Sequence, residues 1–251
     1  MEEWQPEWNQ YLAKFDFPKE SFQSISNQTD KYCVIIEPRR HSLLPAVIKN
    51  FTYLLQPKGW GLIVMHGTEN EAYIKQALNG WKTPIFINLG ISNFQGEEYN
   101  EFMGDTKVWK NLLKLGCKHA LMFQTDTLLL KADIDQFLSY AYVGAPWNPA
   151  LTRETGIRVG NGGLSLRHVE TILFIADNHP NREISPGVVY PEDVYYCHYC
   201  LKYKFPIASI EEAGKFAIES LYSYADPCGL HKPYIAFFKC IIPKYLYSET
   251  N

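Results

Sequence analysis

The 251-residue sequence has no apolar run long enough to cross a bilayer. The nearest approach, Tyr234 to Ile242, is short, is broken by Lys239 and is followed by Pro243. A transmembrane segment is therefore not expected. The N-terminus, Met-Glu-Glu-Trp-Gln-Pro, is acidic and polar and lacks the pattern of a secretory leader. A cytoplasmic location is expected, with docking to a membrane left open. Excess charge is missing too: 24 Lys and Arg face 27 Asp and Glu, a net charge of −3, which argues against a broad nucleic-acid surface. The six cysteines, at 33, 117, 197, 200, 228 and 240, form no spaced framework and sit mostly among apolar residues, as reduced thiols do. Cys197-His-Tyr-Cys200 has the spacing of half a zinc site but no second half, so Cys197 is read as core. Asn27-Gln-Thr29 and Asn50-Phe-Thr52 match the N-glycosylation pattern; without a leader they are read as chance. There are no repeats, no low-complexity tracts and no linker, so one domain over residues 1–251 is expected.

Strand and helix patterns alternate through the first half. Residues 1–30 read as a polar arm packed on the domain. Tyr32-Cys-Val-Ile-Ile36, Gly61-Leu-Ile-Val-Met65, Pro84-Ile-Phe-Ile-Asn88 and His119-Ala-Leu-Met-Phe123 read as buried strands. Leu43 to Leu55 and Thr106 to Leu115 carry helical spacing, with Gly116 at a C-terminal cap, and Asn70 is placed to cap a helix through Leu78. The loop between the third strand and Gly104 reads as polar. This rhythm predicts an α/β fold with a mostly parallel sheet flanked by helices. The ligand edge of such a sheet lies at the strands' C-terminal ends. That gathers Glu37-Pro-Arg39-Arg40, His66-Gly67 and Gln124-Thr125-Asp126 on one rim.

In the second half, Ile134 to Ala141 reads as a short helix. Gly160-Asn161-Gly162-Gly163 reads as a turn opening onto a helix with Val169, Ile172, Leu173 and Ala176. Residues 177–190 read as loop. Pro191-Glu192-Asp193 begins a helix with Val194, Cys197 and Leu201 on one face. Lys215 to Ile218 reads as a short strand, and Cys228-Gly-Leu-His231-Lys232-Pro-Tyr as a turn-rich end.

Several residues are candidates for chemistry. Asp126 is a carboxylate in an apolar run, which is costly unless paired; it suits a divalent cation bridging a diphosphate, or a turn cap. The glycines at 160, 162 and 163, with Ser165 and Arg167 behind them, allow close approach to a phosphate or a sugar hydroxyl, or make a tight turn. They lack the spacing of a dinucleotide fingerprint or a P-loop. Glu192 and Asp193 suit the positive end of a helix, or a general base with a substrate-orienting partner. His231 suits a metal and Lys232 a phosphate; a lone His is also often structural.

In order, these stretches resemble the GT-A class of nucleotide-sugar glycosyltransferases. The closest resemblance is to a little-characterised glycosyltransferase-like family of fungi, bacteria and large DNA viruses. The matching residues are Phe123-Gln-Thr-Asp126, Tyr142-Val-Gly-Ala-Pro-Trp147, Gly160-Asn-Gly-Gly-Leu-Ser-Leu-Arg167, Pro191-Glu-Asp-Val194 and Gly229-Leu-His-Lys232. The resemblance implies a GT-A-like (Rossmann-like) domain, with residues 31–130 as the nucleotide half and 131–251 as the acceptor and catalytic half. It implies a UDP- or GDP-sugar donor, a hydroxyl acceptor and a Mn²⁺ or Mg²⁺ ion held by Asp126 and His231. Gln124 stands where the family's first acid normally stands, so the cation site loses one negative charge. Glu37, Arg39, Arg40 and His66 would take the nucleoside, with Gln124 and Thr125. Trp147, Asn161, Gly162 and Gly163 would frame sugar and acceptor, and Lys232 would assist the diphosphate. Asp193, with Glu192, would serve as base in an inverting transfer. If the chain is viral, its place would be the host cytoplasm. Two other classes remain: a non-catalytic sugar- or nucleotide-binding module on this fold, and a nucleotidyltransferase. The second expects a glycine-rich loop after the first strand, and Glu37-Pro-Arg-Arg40 has no glycine.

Overall fold

The computed structural model of the chain describes residues 6–18, 29–148, 155–219 and 226–232. Helix α1 (Pro6–Ala13) lies where a polar arm was expected. Trp8, Tyr11, Leu12 and Phe15 recur at helical spacing, and all four are buried. Tyr11 Oη donates to Leu129 O at 2.6 Å, so the segment is anchored in the core.

Strand β1 (Lys31–Glu37) is followed by α2 (Leu44–Leu55), β2 (Gly61–His66), α3 (Glu71–Ala77) and β3 (Ile85–Asn88). Gly59, in the left-handed region at φ 82°, ends the turn after α2. Asn70 occupies the N-cap position of α3, but its side chain does other work. Its Oδ1 accepts from Gly67 N, and its Nδ2 donates to Glu37 O and Arg39 O, stapling the ends of β1 and β2. The segment expected as polar loop contains helix α4 (Glu98–Gly104). Asp105 then accepts from Lys107 N at 2.8 Å and caps α5 (Thr106–Lys114).

β4 (His119–Phe123) leads to β5 (Thr127–Leu129), which leaves the main sheet. The helix expected at Ile134 to Ala141 is only a 3₁₀ turn, Asp135–Phe137. Beyond it come β6 (Tyr142–Gly144), β7 (Leu164–His168) and α6 (Val169–Asn178). The glycine run thus opens onto a strand, and the helix starts five residues later. The loop expected at 177–190 holds a hairpin, β8 (Glu183–Ser185) and β9 (Val188–Val189). Helix α7 (Glu192–Lys202) starts where Pro191 predicts. Its buried face is Tyr195, Tyr196, Cys197, Tyr199 and Cys200, whereas Leu201 is exposed. Then come α8 (Ile210–Phe216), β10 (Ala217–Ile218) and β11 (Gly229–His231); the last is a strand within the stretch expected as turns.

The six-stranded sheet has the order β3-β2-β1-β4-β7-β6. β3, β2, β1 and β4 run parallel, and β7 runs antiparallel to both β4 and β6. The mostly parallel α/β sheet is as expected. Cores lie on both faces: Cys33 and Ile35 of β1 join α1 and α2, and Tyr32, Val34 and Ile36 join α5, α6 and α7. Asn50 is fully buried in α2 with its amide paired to both Leu129 N and Leu129 O, so its sequon is not accessible. Cys197 and Cys200 are buried thiols whose pKa burial pushes up. Among the described residues no helix is long and apolar enough to cross a membrane. The apolar stretch at 234–242, Cys240, Asn27 and the Pro-Tyr pair at 233–234 lie outside the described residues.

Candidate functional site

Parallel pairing puts the C-terminal ends of β1, β2 and β4 on one rim. Glu37 faces His66 in register, and Gln124 follows Phe123 at the end of β4. β7 runs the other way, with Leu164 opposite Phe123, so its N-terminal end brings residues 160–163 to the same rim. β11 is antiparallel to β5 and sets His231 opposite Thr127. Lys232 N then donates to Asp126 O at 2.8 Å. Two residues over 100 positions apart are thereby fixed side by side.

A cleft of about 330 Å³ opens at this rim, and Glu37, Arg39, Gln124, Thr125 and Asp126 line it. Glu37 is buried and takes a forked pair from Arg39, Nε to Oε1 and Nη2 to Oε2, both at 2.8 Å. The opposite wall is Asn93, Phe94, Gly96 and Tyr99, from a segment that offered no chemical motif. Gln124 Nε2 donates to Tyr99 Oη at 3.4 Å. Tyr99 also lies within electrostatic reach of Glu192, Arg167 and Asp193, and burial chiefly pushes its phenol pKa up. An aromatic residue just inside a short helix was the available signal for it.

Of the expected residues, Arg40, His66 and all those after Asp126 lie outside the cleft lining. Arg40 is exposed and stacks on Tyr73, its Cζ 4.8 Å from the ring centre. His66 is buried, with Nδ1 2.7 Å from Gly67 O. Trp147 is buried in the core on the α5, α6 and α7 face. A larger hollow of about 620 Å³ lies beside α4, lined by Glu97, Glu101 and Arg182 among others, and none of the expected site residues. Volume favours that hollow; convergent polar chemistry favours the smaller cleft, and the chemistry decides.

Asp126, which lines the cleft, reaches His231, with Oδ1 and Nε2 3.5 Å apart. Burial acts to raise the Asp126 pKa, but the interactions with His231 when that ring is protonated, then the Lys232 charge, outweigh it and hold the carboxyl below its ordinary value. His231 is buried, and its Nδ1 lies 2.8 Å from Asn161 Oδ1. Its Nε2 is buried with no hydrogen-bond partner among the described residues. Lys232 Nζ donates to Glu219 Oε1 at 2.8 Å. Nε2 and Oδ1 form a donor pair that fits a divalent cation, since both are ligand atoms and they lie 3.5 Å apart. Among the described residues no group of three or more His, Cys, Asp or Glu side chains surrounds such a point.

Behind this pair the glycines explain themselves by packing. A Cβ on Gly163 would collide with the His231 ring, and one on Gly162 with Glu192 and Asp193. One on Gly160, at φ 115°, would collide with Cys197. Gly162 N donates to Asp193 Oδ2 at 3.0 Å, and Val194 N to Asp193 Oδ1 at 2.8 Å. Burial, then the neighbouring Glu192 charge, push the partly exposed Asp193 carboxyl up to about 6. Glu192 is occupied on both oxygens: Arg167 Nη1 donates to Oε2 at 2.6 Å and Nη2 to Oε1 at 3.0 Å. Arg167 is fully buried, with Tyr142 4.8 Å from its Cζ and its Nε on Ser165 Oγ at 2.9 Å. Ser165 and Arg167, expected to face a phosphate or a sugar, face the interior.

A family model described as "Protein of unknown function (DUF5672)" matches residues 86–231. No curated protein matches the sequence. Among solved structures, the apo form of mouse xyloside xylosyltransferase 1 is similar, with a TM-score of 0.53 and 9% identity, over 80% of this chain and 97% of that one. At that identity the likeness shows the fold: this chain has a glycosyltransferase-like fold.

Proposed function

The chain belongs to the DUF5672 family, and from that premise we propose that it is a glycosyltransferase. It would move a sugar from a UDP- or GDP-sugar to a hydroxyl acceptor, within one domain of two halves. The single observation carrying this is a convergence. Asp126 lines the cleft and pairs with His231, whose Nε2 has no hydrogen-bond partner among the described residues, and Tyr99 of the cleft wall lies within electrostatic reach of Asp193, whose carboxyl is raised to about 6. The pair supplies an anchor for a diphosphate, Asp193 a group able to take a proton near neutral pH.

In this reading the nucleotide half, residues 31–130, offers Glu37, Arg39, Gln124 and Thr125 to the nucleoside, with Arg40 and His66 behind them. Asp126 and His231 would hold Mn²⁺ or Mg²⁺, which when bound neutralises charge on the diphosphate. Lys232 keeps a further positive charge beside Asp126. Asn161, Gly162 and Gly163 shape the sugar end, and Trp147 supports it from the core. Asp193 would accept the acceptor hydroxyl's proton as the acceptor oxygen attacks the anomeric carbon; the bond from that carbon to the diphosphate oxygen breaks, the nucleoside diphosphate leaves, and the carbon inverts. Glu192 acts as a positioning residue, because its oxygens are committed to Arg167. Positioning and charge neutralisation supply the rate.

A panel of nucleotide sugars tested by thermal shift with and without Mn²⁺ identifies the donor, since a ligand that binds only the native state raises Tm. Release of nucleoside diphosphate then separates turnover from binding. One observation favours a second reading, a binding module without turnover. Gln124 is neutral and its amide points at Tyr99, so the cation position has one carboxylate. Stabilisation by a nucleotide sugar with no release or transfer supports that reading, and no response to any donor sinks both.

A further inference from the structure

His231 has two ring nitrogens in different surroundings, and only one of them can carry the proton when the ring is neutral. Asn161 decides which. Asn161 is buried, and its Oδ1 accepts from Gly163 N at 3.1 Å, a turn two residues long that fixes the amide's orientation. The atom facing His231 Nδ1 at 2.8 Å is therefore an oxygen. An oxygen there demands an N–H, so Nδ1 must be the donor. A second acceptor, Glu219 Oε1, lies 3.6 Å from the same nitrogen and adds to that demand.

The ring cannot readily turn away. β11 holds the His231 backbone against Thr127 of β5, and Gly163 lies flat on the ring where any Cβ would collide. The ring's other nitrogen, Nε2, is left buried and without a hydrogen-bond partner among the described residues, 3.5 Å from Asp126 Oδ1.

We propose that Asn161 is a positioning residue that locks neutral His231 with its proton on Nδ1, so that the Nε2 lone pair is presented to a divalent cation beside Asp126. The tautomer stands on geometry alone; its use for a cation rests on the reading given above. The glycine run then has a second purpose. Gly163 supplies both the N–H that orients Asn161 and the flat contact that holds the ring. An outer partner of this kind fixes which nitrogen is the ligand, and its loss typically weakens metal binding by about 10–100-fold.

Long-range ¹H–¹⁵N spectra of the full chain, labelled at histidine, test this directly at a pH where the ring is neutral. The His231 signals are identified by their loss in His231→Gln. Nδ1 is expected to be pyrrole-like and Nε2 pyridine-like, in the wild type and in Asn161→Asp, which keeps an acceptor. In Asn161→Leu the proton is expected to move to Nε2, and Mn²⁺ affinity, read by the loss of the free-ion resonance, to fall at least about tenfold. A pyrrole-like Nε2 in the wild type overturns the proposal. So does an unchanged tautomer in folded Asn161→Leu, and if that variant does not fold, a proton on Nε2 in Asn161→Asp does the same. If the tautomer is as stated but Mn²⁺ does not bind the wild type, the positioning role stands and the cation part of the functional reading fails.

Discussion

Two acid–base pairs flank the same glycine run, and they are opposites. Glu192 and Arg167 are saturated: both carboxylate oxygens are taken, the guanidinium also bonds Ser165, and aromatic rings enclose it. Asp126 and His231 are unsaturated: their facing atoms are 3.5 Å apart, and Nε2 has no described hydrogen-bond partner. A buried ion pair with every site filled holds structure, because any change leaves a charge uncompensated. The unfilled pair, with Asp126 partly exposed, is where the proposed cation would sit. Asp193 stands between the two. It leans on Gly162 and Val194 through its acceptors, and beside the Glu192 charge its proton is held more tightly than usual.

The comparison breaks first at the saturated pair. Arg167→Leu leaves Glu192 charged and buried, and is expected to cost about 3–5 kcal/mol in urea unfolding. Arg167→Leu with Glu192→Met is expected to recover most of that loss. If the single change is tolerated within about 1 kcal/mol, the pair does not hold the fold in the way described.

At the middle position, Asp193→Asn is expected to lower sugar transfer by about 10²–10⁴-fold, with the chain folded and the donor still bound. In the wild type, transfer should rise with pH through about 6 as the base ionises. Stability should move the other way. A raised carboxyl pKa means the native state holds its proton longer than the unfolded state, so the contribution is full below the unfolded value and is lost as pH rises through about 6. Asp126 has the opposite sign, because its depressed pKa makes its contribution present above the ordinary carboxylate range and lost on acidification. Unfolding measured against pH in Asp193→Asn and Asp126→Asn separates the two slopes. Equal slopes in both variants contradict the assignment.

At the unsaturated pair, Gly163→Ala drives a methyl into the His231 ring and is expected to cost about 1–3 kcal/mol. Mn²⁺ binding should be lost with it. The smallest effect is expected for Gln124→Asp. The amide reaches toward Tyr99 rather than into the Asp126–His231 pair, so an added charge there should alter Mn²⁺ affinity by about 1 kcal/mol or less, roughly fivefold. A much larger gain would place residue 124 among the cation's ligands.

Much of the fold was legible because local periodicity and tertiary burial agreed. β1, β2, β3, β4, α2, α5 and the start of α7 fall where apolar runs, caps and Pro191 put them. Helix α1 was legible as well: Trp8, Tyr11, Leu12 and Phe15 form a helical stripe, which a reading of the segment as polar passed over. β7 was harder. Leu164 and Leu166 alternate with Ser165 and Arg167, which is a strand pattern, but Arg167 is buried only because Glu192 lies 25 residues ahead to meet it. β11 was not legible at all, since three residues become a strand by pairing with β5 about 100 positions earlier.

The sequence by itself determined the parallel half of the sheet, the rim on which its loops converge, and the residue types available there. Strand and helix periods are local, and the rule that ligand loops follow strand ends needs nothing more. Only the tertiary structure decided what each polar residue does. Ser165 and Arg167 turned inward, Glu192 was absorbed by Arg167, Tyr99 came to the cleft, and His231 was set against Asp126 and Asn161. A side chain's protonation and partners depend on groups brought near by folding, and distance along the chain says little about which groups those are.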